Sequence, residues 1–339
     1  MGHSKSRRTT GFNWKNKKVL VTGAGGFIGS HLCEHLVALG ARVRALVHYN
    51  ALGKWGWLEE SHVKHEMEVI LGDVTDRDSV DCAVKDQEVV FHLAALISIP
   101  YSYHAPFSYV QTNIVGTVNV LQAARRENVR SLVHTSTSET YGTAQYVPID
   151  ERHPLVGQSP YAASKIGADQ LCISFHKSFG VPVKIVRPFN TYGPRQSARA
   201  VIPTIITQIS TGNEKIKLGN VFTTRDLTYV KDTARGFVAI AESPKNLGEV
   251  TNIGNHSEIS IRDLASRIAS LMKRKIKIVE DPQRVRPSAS EVERLWCNNE
   301  KIKKTTSWQP QYDLDSGLKE TIEWIDRNSL LYKSHIYMV

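Results

Sequence analysis

The run KVLVTGAGGFIG, from Lys18 to Gly29, sets the architecture of the chain. Its first five residues are mostly apolar and predict a short buried strand. Glycines follow in the spacing Gly23-x-x-Gly26-x-x-Gly29, and a helical pattern runs from Ser30 to Leu39 until Gly40 ends it. Strand, glycine turn and helix in this order predict a loop that lets backbone N–H groups approach a pyrophosphate.

Strand and helix patterns continue to alternate from Lys18 to about Val186 in this chain of 339 residues. Such alternation predicts an α/β fold with a doubly wound parallel sheet, of the Rossmann type, covered by helices on both faces. The length also leaves room for a second, smaller lobe.

The strand Ala41–Val47 ends in His48-Tyr49-Asn50, where an acidic residue often binds the adenosine ribose. Neither a carboxylate nor an arginine follows at once, so we expect NAD and leave NADP open. Asp73 ends the third predicted strand and is expected to reach the adenine. The cofactor contacts that we predict are Gly23, Gly26, Phe27, Ile28, Gly29, His48, Asp73, Val74, Leu93, Ala94, Ala95, Tyr161 and Lys165.

Tyr161 and Lys165 are four residues apart in the run SPYAASK, on a predicted helix. This spacing places both side chains on one face. A lysine ammonium beside a phenol favours the phenolate, so we expect a lowered pKa at Tyr161 and a base able to take a proton from an alcohol. The pattern alone is also common as a surface pair, and its position after a dinucleotide loop gives it weight.

A hydroxyl-rich run, His134-Thr135-Ser136-Thr137-Ser138-Glu139, follows another predicted strand. The carboxyl ends of strands are where open α/β sheets bind ligands. Thr137 offers a hydroxyl for a substrate alcohol or ketone, and Glu139 offers a carboxylate that can remove a carbon-bound proton. The predicted catalytic residues are Thr137, Ser138, Glu139, Tyr161 and Lys165.

Together these motifs resemble the extended short-chain dehydrogenase/reductases that modify nucleotide sugars, the NAD-dependent epimerase/dehydratase family. The resemblance covers about Lys18 to Arg327. It is strongest to nucleotide-sugar 4,6-dehydratases of the legionaminic-acid type, through the runs STSE (136–139), SARAVIPT (197–204) and RPSASEVERL (286–295). It implies a dehydratase that acts on UDP- or GDP-N-acetylglucosamine through transient oxidation at C4, with Asn190, Arg195, Arg225 and Arg286 as substrate contacts.

One position departs from the better-known 4,6-dehydratases, which carry Thr-Asp-Glu in this loop. Ser138 replaces the aspartate that serves them as acid for the leaving 6-hydroxyl. The Ser-Thr-Ser-Glu form also resembles UDP-glucuronate decarboxylases, so decarboxylation is the alternative, and 4-epimerisation is a further one. A regulatory protein of the same fold that binds the cofactor without catalysis also stays open, although it would not need Tyr161, Lys165 and Glu139.

The resemblance also implies the domain plan and the assembly. We expect a basic N-terminal tail, a C-terminal tail and, between them, a cofactor-binding domain and a nucleotide-sugar-binding lobe. Two segments of the chain form the lobe, and the segment between them returns to the sheet of the cofactor domain. The helices at 106–127 and 161–179 are expected to form a four-helix bundle in a homodimer. The ranges are 1–17 and 328–339 for the tails, 18–188 and 225–254 for the cofactor domain, and 189–224 and 255–327 for the lobe.

The net charge of +10 does not by itself indicate nucleic-acid binding, because the basic residues are dispersed. A solvated surface and the attraction of a sugar diphosphate account for it. The 13 histidines show no metal-ligand spacing, and the 4 cysteines are scattered, which suggests reduced thiols. No apolar run is long enough to span a membrane, so we expect a cytoplasmic protein without metal, membrane or nucleic-acid partners.

Overall fold

The structure, a computed structural model, describes residues 12–332. Fourteen strands are formed among them: β1 Lys18–Thr22, β2 Arg42–His48, β3 Met67–Gly72, β4 Val89–His92, β5 Ser131–Thr135, β6 Val183–Pro188, β7 Asn190–Tyr192, β8 Lys215–Leu218, β9 Thr224–Arg225, β10 Leu227–Tyr229, β11 Val250–Ile253, β12 Ile259–Ser260, β13 Lys277–Glu280 and β14 Arg294–Leu295.

Eleven α-helices connect or flank these strands in the described part of the chain. They are α1 Phe27–Ala38, α2 Arg77–Val84, α3 Ile99–His104, α4 Pro106–Tyr109, α5 Gly116–Arg126, α6 Pro160–Phe179, α7 Val201–Ser210, α8 Val230–Glu242, α9 Ile261–Leu271, α10 Glu300–Thr305 and α11 Leu314–Arg327. A π-helical segment, Val110–Val115, joins α4 to α5.

Seven of the strands form one parallel sheet in the order β11-β6-β5-β4-β1-β2-β3. The register pairs Val19 with Val43 on one side and with Val89 on the other. Val19 and Val21 enter the core beneath α1 and α8, whereas Leu20 enters the core on the face of α2, α5 and α6. Apolar side chains on both faces of a central strand are what a sheet covered twice requires, and the predicted doubly wound fold is confirmed.

A second core lies beyond the carboxyl ends of this sheet. It is built largely from α7, α9 and α11, with Ile205, Leu264 and Leu318 fully buried. The short pairs β7–β10 and β8–β13 lie in the same part of the chain. The segment from α8 to β11 returns to the main sheet, because β11 pairs with β6 and α8 packs against α1.

Three local features differ from the sequence prediction. Helix α1 begins at Phe27, three residues before the predicted start, so that Gly29 lies inside its first turn. The predicted helix at 106–127 is interrupted by the π-helical segment. The described end of the predicted N-terminal tail is packed, since Trp14 is buried and its indole N–H donates to Glu242 at 2.7 Å.

At the other end, Tyr332 is buried and its hydroxyl donates to the carbonyl of Gln196 at 2.8 Å, so the predicted C-terminal tail also begins packed. Residues 1–11 and 333–339 of the two predicted tails lie outside the described residues. None of the helices in the described range is both long and apolar enough to cross a membrane. Within that range no group of three or more histidine, cysteine or acidic side chains is arranged to hold a metal ion.

Candidate active site

A cavity of about 1060 Å³ lies at the carboxyl ends of the sheet strands, facing the second core. Its wall includes the glycine loop, the ends of β4 and β5, the start of α6, and residues from α7, β9 and the segment before β14. This volume is at the upper end of the range for pockets that bind one small ligand. It therefore suits two ligands that meet, such as a dinucleotide and a sugar nucleotide.

The N–H groups of Phe27 and Ile28 begin α1 without an intrahelical partner, whereas the N–H of Gly26 donates to the carbonyl of Gly23 at 3.1 Å. Gly26 is the N-cap residue, so no side chain caps the first turn of α1. Gly26, Phe27 and Ile28 line the cavity. A Cβ at Gly29 would overlap the carbonyl oxygen of Gly23, which itself has a φ of +68°. Unpaired donors at a helix N-terminus bind anions, so these residues fit a pyrophosphate.

The end of β4 forms the next part of the wall. The Thr22 hydroxyl oxygen accepts hydrogen bonds from the N–H groups of Leu93 and Ala94, each at 3.1 Å. This fixes the small-residue segment Leu93–Ala95 along the cavity, where the sequence predicted cofactor contacts. Thr22 also lies 2.8 Å from Nδ1 of the fully buried His92.

Two predicted cofactor contacts lie elsewhere. The Asp73 carboxylate is 3.5 Å from Nε2 of His48, and Val74 is buried against the α-carbon of Gly116. Neither is part of the cavity wall, whereas His48 is. His48 therefore forms part of the wall, and the Asp73 carboxylate lies directly behind it, where its other oxygen accepts from the N–H of Thr75 at 2.8 Å.

The hydroxyl-rich run stands directly after β5. Thr137 is the N-cap of a 3₁₀-helical turn, Ser138–Tyr141, and its side-chain oxygen accepts from the N–H of Glu139 at 3.3 Å. Thr137, Ser138 and Glu139 are all buried and all line the cavity. The turn therefore places one carboxylate and two hydroxyls, all on residues of low exposure, at the wall of the cavity.

Tyr161 and Lys165 lie in the first turns of α6. Ser159 caps this helix by accepting from the N–H of Ala162 at 3.1 Å, and Pro160 occupies its first position. Both predicted catalytic side chains are buried, line the cavity, and share it with Thr137 and Glu139. The structure thus gathers all five predicted catalytic residues on one wall.

The predicted pKa shift at Tyr161 is wrong for the structure described here. Burial raises the pKa of Tyr161, and the nearby Glu139 carboxylate raises it further, against a hydrogen bond with Thr137 that lowers it. Burial also lowers the pKa of Lys165, with Asp169 opposing. The loss of hydration on burial is thus the main cause of the raised pKa of Tyr161.

Sequence reasoning missed a buried polar network beneath these residues. Asp169 follows Lys165 by one helical turn and is fully buried. It accepts from the Ser136 hydroxyl at 2.6 Å and from Nη2 of Arg187 at 2.7 Å. Nε2 of His134 is 3.3 Å from its other oxygen, without hydrogen-bond geometry. The signal was available, because an acid on the buried face of a helix needs partners.

A second missed residue is Asn113, in the π-helical segment. Its side-chain amide donates to the carbonyl of Leu96 at 3.0 Å and to the Ser164 hydroxyl at 2.9 Å, while its oxygen accepts from the N–H of Leu96 at 2.9 Å. Asn113 therefore joins the cavity wall after β4 to the helix of Tyr161. The π-helical turn that presents it gave no periodic signal in the sequence.

Three of the four predicted substrate contacts line the far end of the cavity: Asn190, Arg225 and Arg286. Glu291, which the sequence analysis did not select, lies between the arginines, with an oxygen 3.6 Å from each guanidinium. Arg195 is not in the wall, because its guanidinium pairs with Glu34 on α1 at 2.7 Å. The structure does not bring Arg195 together with the other three.

Residues 20–321 match the GDP-mannose 4,6 dehydratase family. The chain belongs to this family. The predicted membership of the NAD-dependent epimerase/dehydratase class of extended short-chain dehydrogenase/reductases is thereby confirmed. Relatives of the family carry out several reactions.

The chain is 34% identical to a UDP-N-acetyl-alpha-D-glucosaminuronate decarboxylase of Bacillus cytotoxicus, over 91% of this chain and 97% of the relative. It is 31% identical to a dTDP-glucose 4,6-dehydratase of Streptomyces antibioticus, over 91% and 92%. Its fold matches a UDP-glucuronic acid 4-epimerase of Bacillus cereus, solved with UDP-glucuronic acid and NAD, with a TM-score of 0.84 and 31% identity over 92% and 99% of the chains. The family thus fixes an enzyme class but leaves the reaction open among dehydration, decarboxylation and epimerisation.

Proposed function

We propose that the chain is a nucleotide-sugar 4,6-dehydratase that converts UDP- or GDP-N-acetylglucosamine to the 4-keto-6-deoxy sugar nucleotide. The observation that carries the proposal is the burial of the Glu139 carboxylate in the wall that also holds Thr137 and Tyr161. A base for a carbon-bound proton and a base for an alcohol proton then act on one sugar ring.

The cofactor that we propose is NAD, with its phosphates at the N–H groups of Phe27 and Ile28, beside Gly26. Bound NAD supplies a hydride acceptor that later returns the hydride, and the positive charge of its oxidised ring favours a phenolate nearby. The cavity wall has donors for the phosphates and small residues beside them, which fits a dinucleotide.

The protein residues handle the protons. Tyr161 takes the proton of the sugar 4-hydroxyl, and Thr137 donates a hydrogen bond to the C4 oxygen. A ketone at C4 makes the C5 proton acidic, so Glu139 removes it. The C6–O bond breaks, and the leaving hydroxyl departs as water after it receives that same proton. The C5=C6 double bond that remains takes the returned hydride at C6 and a solvent proton, relayed by Glu139, at C5. Glu139 thus serves as base and as acid, which the replacement of aspartate by Ser138 requires.

The far end of the cavity supports a sugar diphosphate. Asn190 Oδ1 and Arg286 Nη1 are buried and have no hydrogen-bond partner within residues 12–332. Arg225 is also buried, and burial lowers its pKa while the charges of Glu139 and Glu291 oppose that shift. A buried donor or acceptor that makes no hydrogen bond is costly unless a ligand completes it. A guanidinium pair matches a diphosphate, and Glu291 matches hydroxyl donors of the ligand.

Decarboxylation of a UDP-sugar acid is the second candidate. Ser138 is 2% exposed and leaves Glu139 as the one carboxylate of the catalytic turn, and loss of carbon dioxide needs no acid for a leaving hydroxyl. The similarity to the decarboxylase of Bacillus cytotoxicus supports decarboxylation as the second candidate. Epimerisation at C4 would use Tyr161 and Thr137 but would give the Glu139 carboxylate no proton to remove.

The deciding experiment is mass spectrometry of the purified chain with UDP-N-acetylglucosamine, GDP-N-acetylglucosamine, UDP-glucuronate and UDP-N-acetylglucosaminuronate, supplied separately with NAD. We expect the loss of one water from an N-acetylglucosamine nucleotide. Loss of carbon dioxide from a sugar acid instead would replace the dehydratase with a decarboxylase. Unchanged mass with a changed sugar NMR spectrum would indicate an epimerase, and no change at all would favour a regulatory binder.

We also propose the homodimer that the sequence analysis expected. Phe107, Val110 and Val115 are exposed by 69%, 42% and 43% on α4 and the π-helical segment, and α6 packs beside them. An apolar face beside a helix pair suits a bundle with a second copy. Analytical ultracentrifugation should give twice the chain mass, and Val110→Glu with Val115→Glu should give the monomer. The cytoplasmic location stays a prediction.

A further inference from the structure

We propose that Ser290, which lies outside the cavity wall, is a positioning residue that couples nucleotide binding to the placement of α6, the helix of the proposed base. The coupling runs through hydrogen bonds that join Tyr103, Ser290 and the carbonyl of Gln158. The inference rests on the sugar-diphosphate site of the proposed function, because the segment that carries Ser290 also carries Arg286.

The segment 286–291 reaches the far end of the cavity from the second lobe. Arg286 and Glu291, at its two ends, line the cavity. Within the described chain this segment contains a single 3₁₀ turn, Ser288–Ser290, and no strand. Its position therefore depends on the contacts that it makes with other parts of the chain.

Ser290 makes two of these contacts with one hydroxyl. It donates to the carbonyl of Gln158 at 2.6 Å, and its oxygen is also 2.6 Å from the Tyr103 hydroxyl. A serine hydroxyl has one hydrogen, so Tyr103 is the donor to Ser290. Tyr103 belongs to α3, which packs against α6, and Gln158 directly precedes Ser159, the cap of α6. Ser290 therefore joins the segment to both elements.

The Gln158 side chain extends this connection to the end of the catalytic turn. It donates to the carbonyl of Ala289 at 3.0 Å and accepts from the N–H of Thr143. The Thr143 hydroxyl donates in turn to the carbonyl of Glu291 at 3.3 Å. Gly142, the C-cap of the turn, has a φ of +65°, and a Cβ there would come within 2.5 Å of the Gln158 side-chain oxygen. A side chain at Gly142 would thus disturb this contact.

These contacts give the nucleotide site and the catalytic helix a common support. A ligand that binds Arg286 holds the segment in one position and, through Ser290, also holds the backbone of Gln158. The next residue, Ser159, caps α6 by accepting from the N–H of Ala162 at 3.1 Å. Since one ordering event then serves both sites, nucleotide binding should also order the first turn of α6.

Hydrogen–deuterium exchange of the full chain loaded with NAD, with and without UDP or GDP, is the first test. Saturating nucleotide should slow exchange of the backbone N–H groups in 159–165 by about fivefold or more, because the first turn of α6 opens less often. Ser290→Ala should still bind the nucleotide within about tenfold of the native Kd but should lose most of this protection. Ser290→Thr keeps the hydroxyl and should retain the protection. Ser288→Ala, at an exposed position of the same 3₁₀ turn outside the cavity wall, is the matched control and should behave as the native chain does.

Steady-state kinetics with the sugar nucleotide that the chain converts are the second test. Ser290→Ala should lower kcat by about tenfold, because small displacements of catalytic groups slow a reaction strongly. The melting temperature should change little, and Ser290→Thr should restore the rate. Tyr103→Phe removes the donor to Ser290, so its effect on kcat should not add to that of Ser290→Ala.

The inference is overturned if the nucleotide protects 159–165 equally in the native and Ser290→Ala chains, or in neither. It is also overturned if Ser290→Ala keeps the native kcat, or if Ser290→Thr is as impaired as Ser290→Ala. Failure of both UDP and GDP to bind would overturn the proposed diphosphate site as well. If none of the sugar nucleotides is converted, the proposed reaction fails, whereas the exchange measurement still decides the role of Ser290.

Discussion

The Asp169 carboxylate lies 2.7 Å from the Arg187 guanidinium, and both side chains are almost fully buried. Asp169 shares its helix with Tyr161 and Lys165, and it also accepts from Ser136, the residue before Thr137. Arg187 belongs to β6 and donates to the same hydroxyl at 3.1 Å. One ion pair therefore ties the helix of the proposed base to the strand end that carries the catalytic turn.

Asp169→Asn is expected to lower the free energy of unfolding by about 3–5 kcal/mol, because Arg187 would be left as an uncompensated buried charge. Turnover should fall as well, since the strand end and the helix lose their common partner. Chemical denaturation and steady-state kinetics measure the two effects. The double change Asp169→Asn with Arg187→Met should recover stability but not turnover. Equal recovery of both would make the pair purely structural.

Tyr161→Phe should lower kcat by about 100-fold or more, because the site loses its base for the 4-hydroxyl proton. NAD binding and the melting temperature should change little, since only a hydroxyl is removed. Steady-state kinetics and calorimetry check this. Tyr146→Phe is a matched control, as Tyr146 is 44% exposed and donates only to Asp150 outside the cavity. A Tyr161→Phe enzyme with native turnover would contradict the assignment.

Glu139→Gln should stop solvent hydrogen from reaching C5 of the sugar. The amide cannot take a proton from carbon, so product formation should fall by about 100-fold or more. Reaction in deuterium oxide followed by mass spectrometry measures the exchange. Glu293→Gln, at an exposed position outside the cavity wall, should exchange as the native chain does. Continued deuterium uptake in Glu139→Gln would assign the base to another group.

Arg286→Met should raise KM for the sugar nucleotide by roughly tenfold to 100-fold, which corresponds to one charge-assisted contact. The arginine lies at the far end of the cavity from Tyr161, so kcat should fall much less. Arg294→Met tests for a general effect of arginine loss, because Arg294 pairs with Glu258 at the surface. A selective loss of kcat in Arg286→Met would place this guanidinium at the reacting atoms instead.

The stability of the chain should fall as the pH drops from about 6.5 to about 4, in part because of His134. Burial lowers the pKa of His134 to about 4 in the folded chain, whereas the unfolded side chain titrates near 6.5. Between these values the unfolded state binds the extra proton, so acid favours unfolding.

Denaturant unfolding at several pH values measures this slope. His134→Asn should reduce it by up to about 1.4 kcal/mol per pH unit, the effect of one proton. The comparison of slopes is independent of any constant loss of stability that the substitution causes. An identical slope in the variant would show that His134 is already charged when folded.

The sequence by itself determined the sheet, the glycine loop and the five catalytic candidates, because each depends on neighbours within about one helical turn or one strand. Hydrophobic runs, Gly23-x-x-Gly26-x-x-Gly29 and the spacing of Tyr161 and Lys165 are local signals, and the structure gathers these groups around one cavity.

Only the tertiary structure decided which distant groups meet. Asp169 with Arg187, Asn113 with Leu96, and Glu291 between two arginines are partners far apart in the chain. Arg195 does not line the cavity, because its guanidinium pairs with the Glu34 carboxylate. The rise in the pKa of Tyr161 has the same origin, since burial is a property of the packed chain and cannot be read from the spacing of Tyr161 and Lys165.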